Sequence, residues 1–221
     1  MTHDYTHYTQ LADLLGYPEP SLVEKIVQTQ AVLNVRYPRA GKTLEAFTDL
    51  FQTRPVNELE ELYLRSFDVQ AITTLDIGYV LFGDDYKRGA MLVNLNREHE
   101  AVGNPCYNEL ADHLPNVLRL LPLLVDESFR EELVCRIVSP AVQKIMAEFL
   151  PERIEAKERV YRKHHKMLLD DVESRTIYRL PLQALYQVLE QDFILTEQTA
   201  PETSSDFLKG IGTEIALEPD A

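Results

Sequence analysis

Asp112 and His113 set a carboxylate beside an imidazole, directly before an apolar run of Leu114, Val117, Leu118 and Leu121. Such a pair can serve as a general base with its orienting carboxylate, or it can read the charge of a ligand. Adjacent side chains rarely meet in the geometry that a proton relay needs, so catalysis is the weaker reading. The spacing predicts a helix entry instead. Asp112 suits the N-cap, where its carboxylate accepts from first-turn N–H groups, and Pro115 then falls at the third helical position, where no intrahelical donor is lost. The polar pair is expected on an exposed lip that the apolar face beneath it holds rigid.

The other chemistry-bearing residues form no set. His3 and His7 lie one helical turn apart, which supplies two metal ligands at most, and His164 and His165 would point about 100° apart on a helix. Cys106 and Cys135 lack CxxC spacing and are expected as two separate reduced thiols. No GxSxG elbow, GxxxxGK[ST] loop or GxGxxG turn occurs. The expectation is a protein with no catalytic residue, no metal and no cofactor.

The elements that must hold the central stretch read as helices. Glycine is scarce, at 8 in 221 residues, alternating β-branched runs are few, and apolar residues recur at i, i+3, i+4. Leu11, Leu14 and Leu15 make a first helix ending at Gly16-Tyr17-Pro18. Ser21 with Glu24 signals a capping box for a second, and Gly41-Lys42 a turn before a third that ends at Arg54-Pro55. Asn57 with Glu60 repeats the box ahead of Leu59, Leu62, Tyr63 and Phe67. Leu75 to Gly83 alternates at its start and is apolar at its end, and reads as irregular or a short helix.

Asp84 is expected to cap Tyr86 to Val102, closed by Gly103-Asn104-Pro105. Pro122 should kink or end the helix after Leu114, Ser128 with Glu131 should start another, and Ser139-Pro140 a further one. A charged helix from Glu152 to about Val172 and an amphipathic one from Leu182 to Phe193 follow. The prediction is an all-α, single-domain helical bundle over residues 1–195, with a mobile acidic tail over 196–221.

The formal net charge of −14 argues against a nucleic-acid partner, which needs clustered Lys and Arg. No apolar run approaches the roughly 20 residues of a bilayer-crossing helix, and the first residues show no basic segment followed by an apolar one. A cytoplasmic protein without stable membrane insertion is expected.

Three stretches carry a resemblance to a known family. Glu61-Leu62-Tyr63-Leu64-Arg65-Ser66-Phe67-Asp68 looks like a Tyr-x-x-x-Phe-Asp helix end, and Arg88-Gly89-Ala90-Met91 like an Arg-Gly-x-Met helix start. Glu109-Leu110-Ala111-Asp112-His113-Leu114-Pro115 looks like a Glu-Leu-Pro-Asp-His-Leu-Pro motif, with Ala111 where the pattern has proline. In order and spacing these resemble the NarJ-type (delta-subunit) nitrate reductase assembly chaperones, kin to the TorD and DmsD chaperones, over about residues 8–195.

The resemblance implies an all-helical cytoplasmic chaperone that binds the N-terminal targeting segment of a molybdenum oxidoreductase catalytic subunit. That segment is a twin-arginine signal or a vestige of one, held while molybdenum cofactor is inserted and before export or membrane docking. The chaperone itself would do no chemistry and need no cofactor. It implies a peptide-binding set of Tyr63, Phe67, Asp68, Arg88, Glu109, Asp112, His113, Leu114 and Pro115, on a monomer or a dimer. An acidic helical adaptor binding some other amphipathic helix is the alternative.

Overall fold

The computed structural model describes residues 4–162 and 175–195, and among them the chain is helical with no strand beyond one isolated bridge. In order the helices are α1 (His7–Asp13), α2 (Leu22–Arg36), α3 (Pro38–Thr53), α4 (Val56–Phe67), α5 (Ile77–Phe82), α6 (Tyr86–Val102) and α7 (Leu114–Leu120). A 3-10 turn (Leu121–Leu123), α8 (Glu127–Leu133), a π-helical turn (Val134–Val138), α9 (Ser139–Glu148), α10 (Pro151–Arg162) and α11 (Arg179–Asp192) follow. The tail expected over 196–221, and the charged helix beyond Arg162, lie outside the described residues.

Two helices, α2 and α3, form a hairpin joined by Tyr37 alone, and α3 also packs on α11, which reaches α9. On the other side α1 packs on α7 and α2, and α5 bridges α9 and α6. Between them Phe47 and Phe51 stack at 4.0 Å, and the ring of Tyr178 stands edge-on to both and to Tyr63 and Phe67. Phe47, Phe51 and Tyr63 are therefore core.

Several helix starts differ from the sequence reading, each for a local reason. Gly41 is no turn but lies inside α3, where a Cβ would come within 2.2 Å of Asn34 Oδ1 and 2.9 Å of the Asn34 backbone nitrogen. The glycine lets the hairpin close. Replacing Gly41 with alanine should therefore lower stability by about 1–3 kcal/mol in a urea melt, overpacking outweighing the better helix propensity of alanine. A stabilised variant would refute the close approach.

Ser21 makes no cap bond; its backbone is already helical and its hydroxyl donates to Glu19 at 2.7 Å. Asn57 lies within α4 because extended Pro55 takes the cap position. Asp85 replaces Asp84, accepting from the Lys87 N–H, and Asp126 replaces Ser128, accepting from the N–H groups of Ser128 and Phe129. Ser139 opens α9 as expected but caps nothing: it is the first residue of the helix, α8 leads into it through the π turn, and the wider turn falls where Pro140 offers no N–H. At Arg54, Gly103 and Pro122 the expected ends are found, Gly103 with φ +66° in the left-handed region.

Candidate functional site

The run from Leu75 to Gly83 resolves into an extended start and a short helix, and the start supplies the site's framework. Asp76 pairs with His113 in an antiparallel bridge, in which Ile77 N–H donates to Asp112 O at 2.9 Å and Leu114 N–H to Leu75 O at 2.8 Å. The bridge thereby ties each helix start to the residues that lead into the other. It also overturns the capping role of Asp112, since the N-cap of α7 is His113, with no side-chain cap bond and Pro115 one position earlier than expected.

Asp112 is not on a lip either. Its side chain is 0% exposed and faces Arg88, whose Nε donates to Oδ2 at 2.9 Å and whose Nη2 reaches Oδ1 at 3.5 Å. The same Nη2 donates to Asp76 Oδ2 at 2.9 Å, so one guanidinium is shared by two carboxylates across three helix starts. A buried carboxylate is tolerable only with such a partner. Gly78 makes the room: a Cβ there would stand 2.5 Å from Asp112 Oδ2. Arg88 also lies over the Tyr79 ring, 5.4 Å from its centroid.

His113 extends the network outward, with Nδ1 3.2 Å from Asp76 Oδ1 and 3.8 Å from Glu109 Oε2. That hydrogen bond, reinforced against burial by the charges of His113 and Arg88, holds the Asp76 carboxyl below its ordinary range. Arg88 moves upward, because its two carboxylates outweigh the cost of burial.

Tyr63 joins the group from α4. Burial, and then the negative charges of Glu109, Asp68 and Asp76, push its hydroxyl well above the ordinary tyrosine value. Its ring meets Tyr17 edge-on at 5.4 Å and Phe67 at 5.3 Å. The three motif stretches, far apart in sequence, thus share one region.

Its parts differ in access. Asp68 and Glu109 are exposed, as are Tyr17, Val69, Tyr107 and Leu110, whereas Tyr63 shows only an edge. Asp112, His113, Leu114 and Pro115 are all buried, so neither member of the polar pair stands on an exposed lip, and Arg88 is held by its carboxylates. Apolar and aromatic side chains are thus exposed along the same stretches as Asp68 and Glu109, while Arg88 is paired with its carboxylates. Sequence reasoning missed Asp76 and Gly78, although an Asp within the one ambiguous run was a signal of a special position.

His7, one helical turn from His3 in sequence, lies 2.8 Å from Asp192, while His3, His164 and His165 lie outside the described residues. Among the described residues no group of three or more His, Cys, Asp and Glu could hold a metal ion. Both cysteines are free, and no described helix is long and apolar enough to cross a membrane. No protein-family model matches the chain, and no curated protein does.

Proposed function

We propose that the chain is a NarJ-type assembly chaperone that binds the basic, partly apolar N-terminal segment of a molybdenum oxidoreductase catalytic subunit, nitrate reductase first among them, in the cytoplasm. The observation that supports this reading is the meeting of the second and third motif stretches at Asp76, while the first is tied to the run leading into Asp76 by Ile72 N–H to Arg65 O at 3.1 Å and Thr73 N–H to Ser66 O at 3.0 Å. In this reading Phe67, Asp68, Glu109 and the edge of Tyr63 meet the ligand, and Arg88, Asp112, His113, Leu114 and Pro115 hold that face in shape. Exposed Tyr107 and Leu110 beside exposed carboxylates suit a segment that pairs basic residues with an apolar stretch.

A pull-down of the full chain from cells expressing the apo form of such a catalytic subunit tests the reading. Recovery of the subunit, lost when its N-terminal segment is deleted, is the expected result. Recovery unaffected by that deletion, or none at all, would leave the acidic adaptor. With the isolated N-terminal peptide, association should slow as salt rises, since attraction to a protein of charge −14 is screened beyond about 10 Å at 0.1 M. Glu109→Gln should lower the association rate at low salt with little effect on melting. A rate that is flat in salt would make the acidic surface a solubility device only.

A further inference from the structure

The turn from Gly103 to Asp112, which carries Tyr107, Glu109 and Leu110, has no regular structure of its own, and a buried network holds it to α6 and α7. His99, on α6 and 2% exposed, places Nε2 3.1 Å from the Ala111 carbonyl. Its Nδ1 lies 2.8 Å from the Asn104 amide nitrogen, which is also 3.1 Å from the Asn116 carbonyl. Asn116 in turn donates to the carbonyls of Cys106 and Leu110.

The bonds fix the protonation state. The Asn116 carbonyl accepts only from an NH2, so Asn104 must present nitrogen to His99, and Nδ1 of His99 must then be the acceptor. Nε2 carries the proton and donates to Ala111. Every group is satisfied with the imidazole neutral. A second proton on Nδ1 would face the Asn104 NH2 donor to donor, and turning that amide over would set its oxygen against the Asn116 carbonyl.

We propose that His99 is a titratable positioning residue, a latch that holds the Gly103–Asp112 turn when neutral and releases it when protonated. The surroundings offer the proton no compensation. The groups facing the ring are the Asn104 amide and the Ala111 carbonyl, with Asn116 and Cys106 beyond. Burial raises the Cys106 thiol, which stays neutral, Asp112 is turned to Arg88, and Arg97, Glu98 and Glu100 lie towards solvent on α6. Burial holds the His99 pKa below the ordinary value, only partly offset by the Ala111 carbonyl.

The open turn therefore takes up a proton that the closed turn refuses, and the closed form is favoured above the ordinary imidazole pKa and loses ground as pH falls below it. The loss is up to about tenfold in the closing equilibrium per pH unit. His113, just beyond the same turn, faces Asp76 and Glu109 rather than the His99 ring.

Amide hydrogen exchange of the full chain at about pH 7.5 and about pH 5.5, either side of the ordinary imidazole value, reads the latch without any ligand, so its outcome is independent of the chaperone reading. The N–H groups of Glu109 and His113, bonded to the carbonyls of Cys106 and Leu110, should lose protection at the lower pH beyond the intrinsic change. His99→Gln, which keeps a donor for Ala111 and cannot ionise, should flatten that response. Nitrogen-15 spectra of wild-type His99 should show the Nε2–H tautomer and no titration near pH 6.5. Wild-type protection independent of pH, a response unchanged in His99→Gln, or a cationic His99 at neutral pH would overturn the proposal. The wild-type measurements decide it even if the variant does not fold.

Discussion

Replacing Arg88 with methionine should destabilise the protein by about 3–5 kcal/mol, the range for removing one partner of a buried ion pair. Methionine keeps most of the stem volume, so the loss reports charge and hydrogen bonds more than packing. What remains is Asp112, with no exposed side-chain surface, and Asp76 opposite it, two carboxylates without their shared counter-ion. They would either stay charged at high cost or bind a proton. The loss should therefore shrink as pH is lowered towards the carboxylate range. Adding Asp112→Leu should recover a good part of the stability, because an apolar replacement of a buried pair is often neutral. Urea unfolding of wild type, single and double variants measures this, and a single-variant loss under about 1 kcal/mol would mean that the Arg88 network does not hold the three helix starts together.

This network explains what the sequence could and could not disclose. Periodicity follows from packing one face of a helix, so the helices over Leu22 to Arg36 or Arg179 to Asp192 were legible from their apolar spacing. Helix starts were less so, since Ser21, Asn57, Asp84 and Ser128 each carry a capping residue type within two residues of the true start. Which neighbour caps depends on backbone angles that tertiary contacts set.

Asp112 was misread in a more instructive way. Its type and place fit an N-cap, but no local rule discloses an arginine 24 residues away, and a buried partner outbids a cap. The same limit hid Asp76, whose value to the site lies wholly in its links to Arg88 and His113. Gly41 shows the converse: a glycine that local rules assign to a turn is required by the neighbouring helix. Residues whose role is long-range were visible in the sequence only as types, and it was the motif resemblance, not periodicity, that grouped Tyr63, Arg88 and His113.

Replacing Asp192 with asparagine should cost about 2–4 kcal/mol at neutral pH, from weakened charge-assisted bonds at a second buried carboxylate. Asp192 closes α11 onto α1 and the hairpin. Its Oδ2 accepts from Tyr8 at 3.0 Å and meets His7 Nε2 at 2.8 Å, and its Oδ1 accepts from Tyr37 at 2.8 Å, with only 4% of the side chain exposed. Burial alone would raise the carboxyl, but the hydrogen bonds of His7, Tyr37 and Tyr8 and the charge of His7 hold it below its ordinary value of 3.8. A carboxyl whose folded pKa is depressed stabilises the fold fully above the unfolded value and loses that contribution as pH falls through the folded one. The gap between wild type and Asp192→Asn should accordingly be constant above about pH 5 and narrow below it. Tyr37→Phe removes one donor to the same carboxylate and should cost about 1–2 kcal/mol, a smaller loss in the same direction. Thermal melts of both variants across pH measure these losses, and an Asp192→Asn protein that melts with wild type at neutral pH would show that α11 is held to α1 by its apolar face alone.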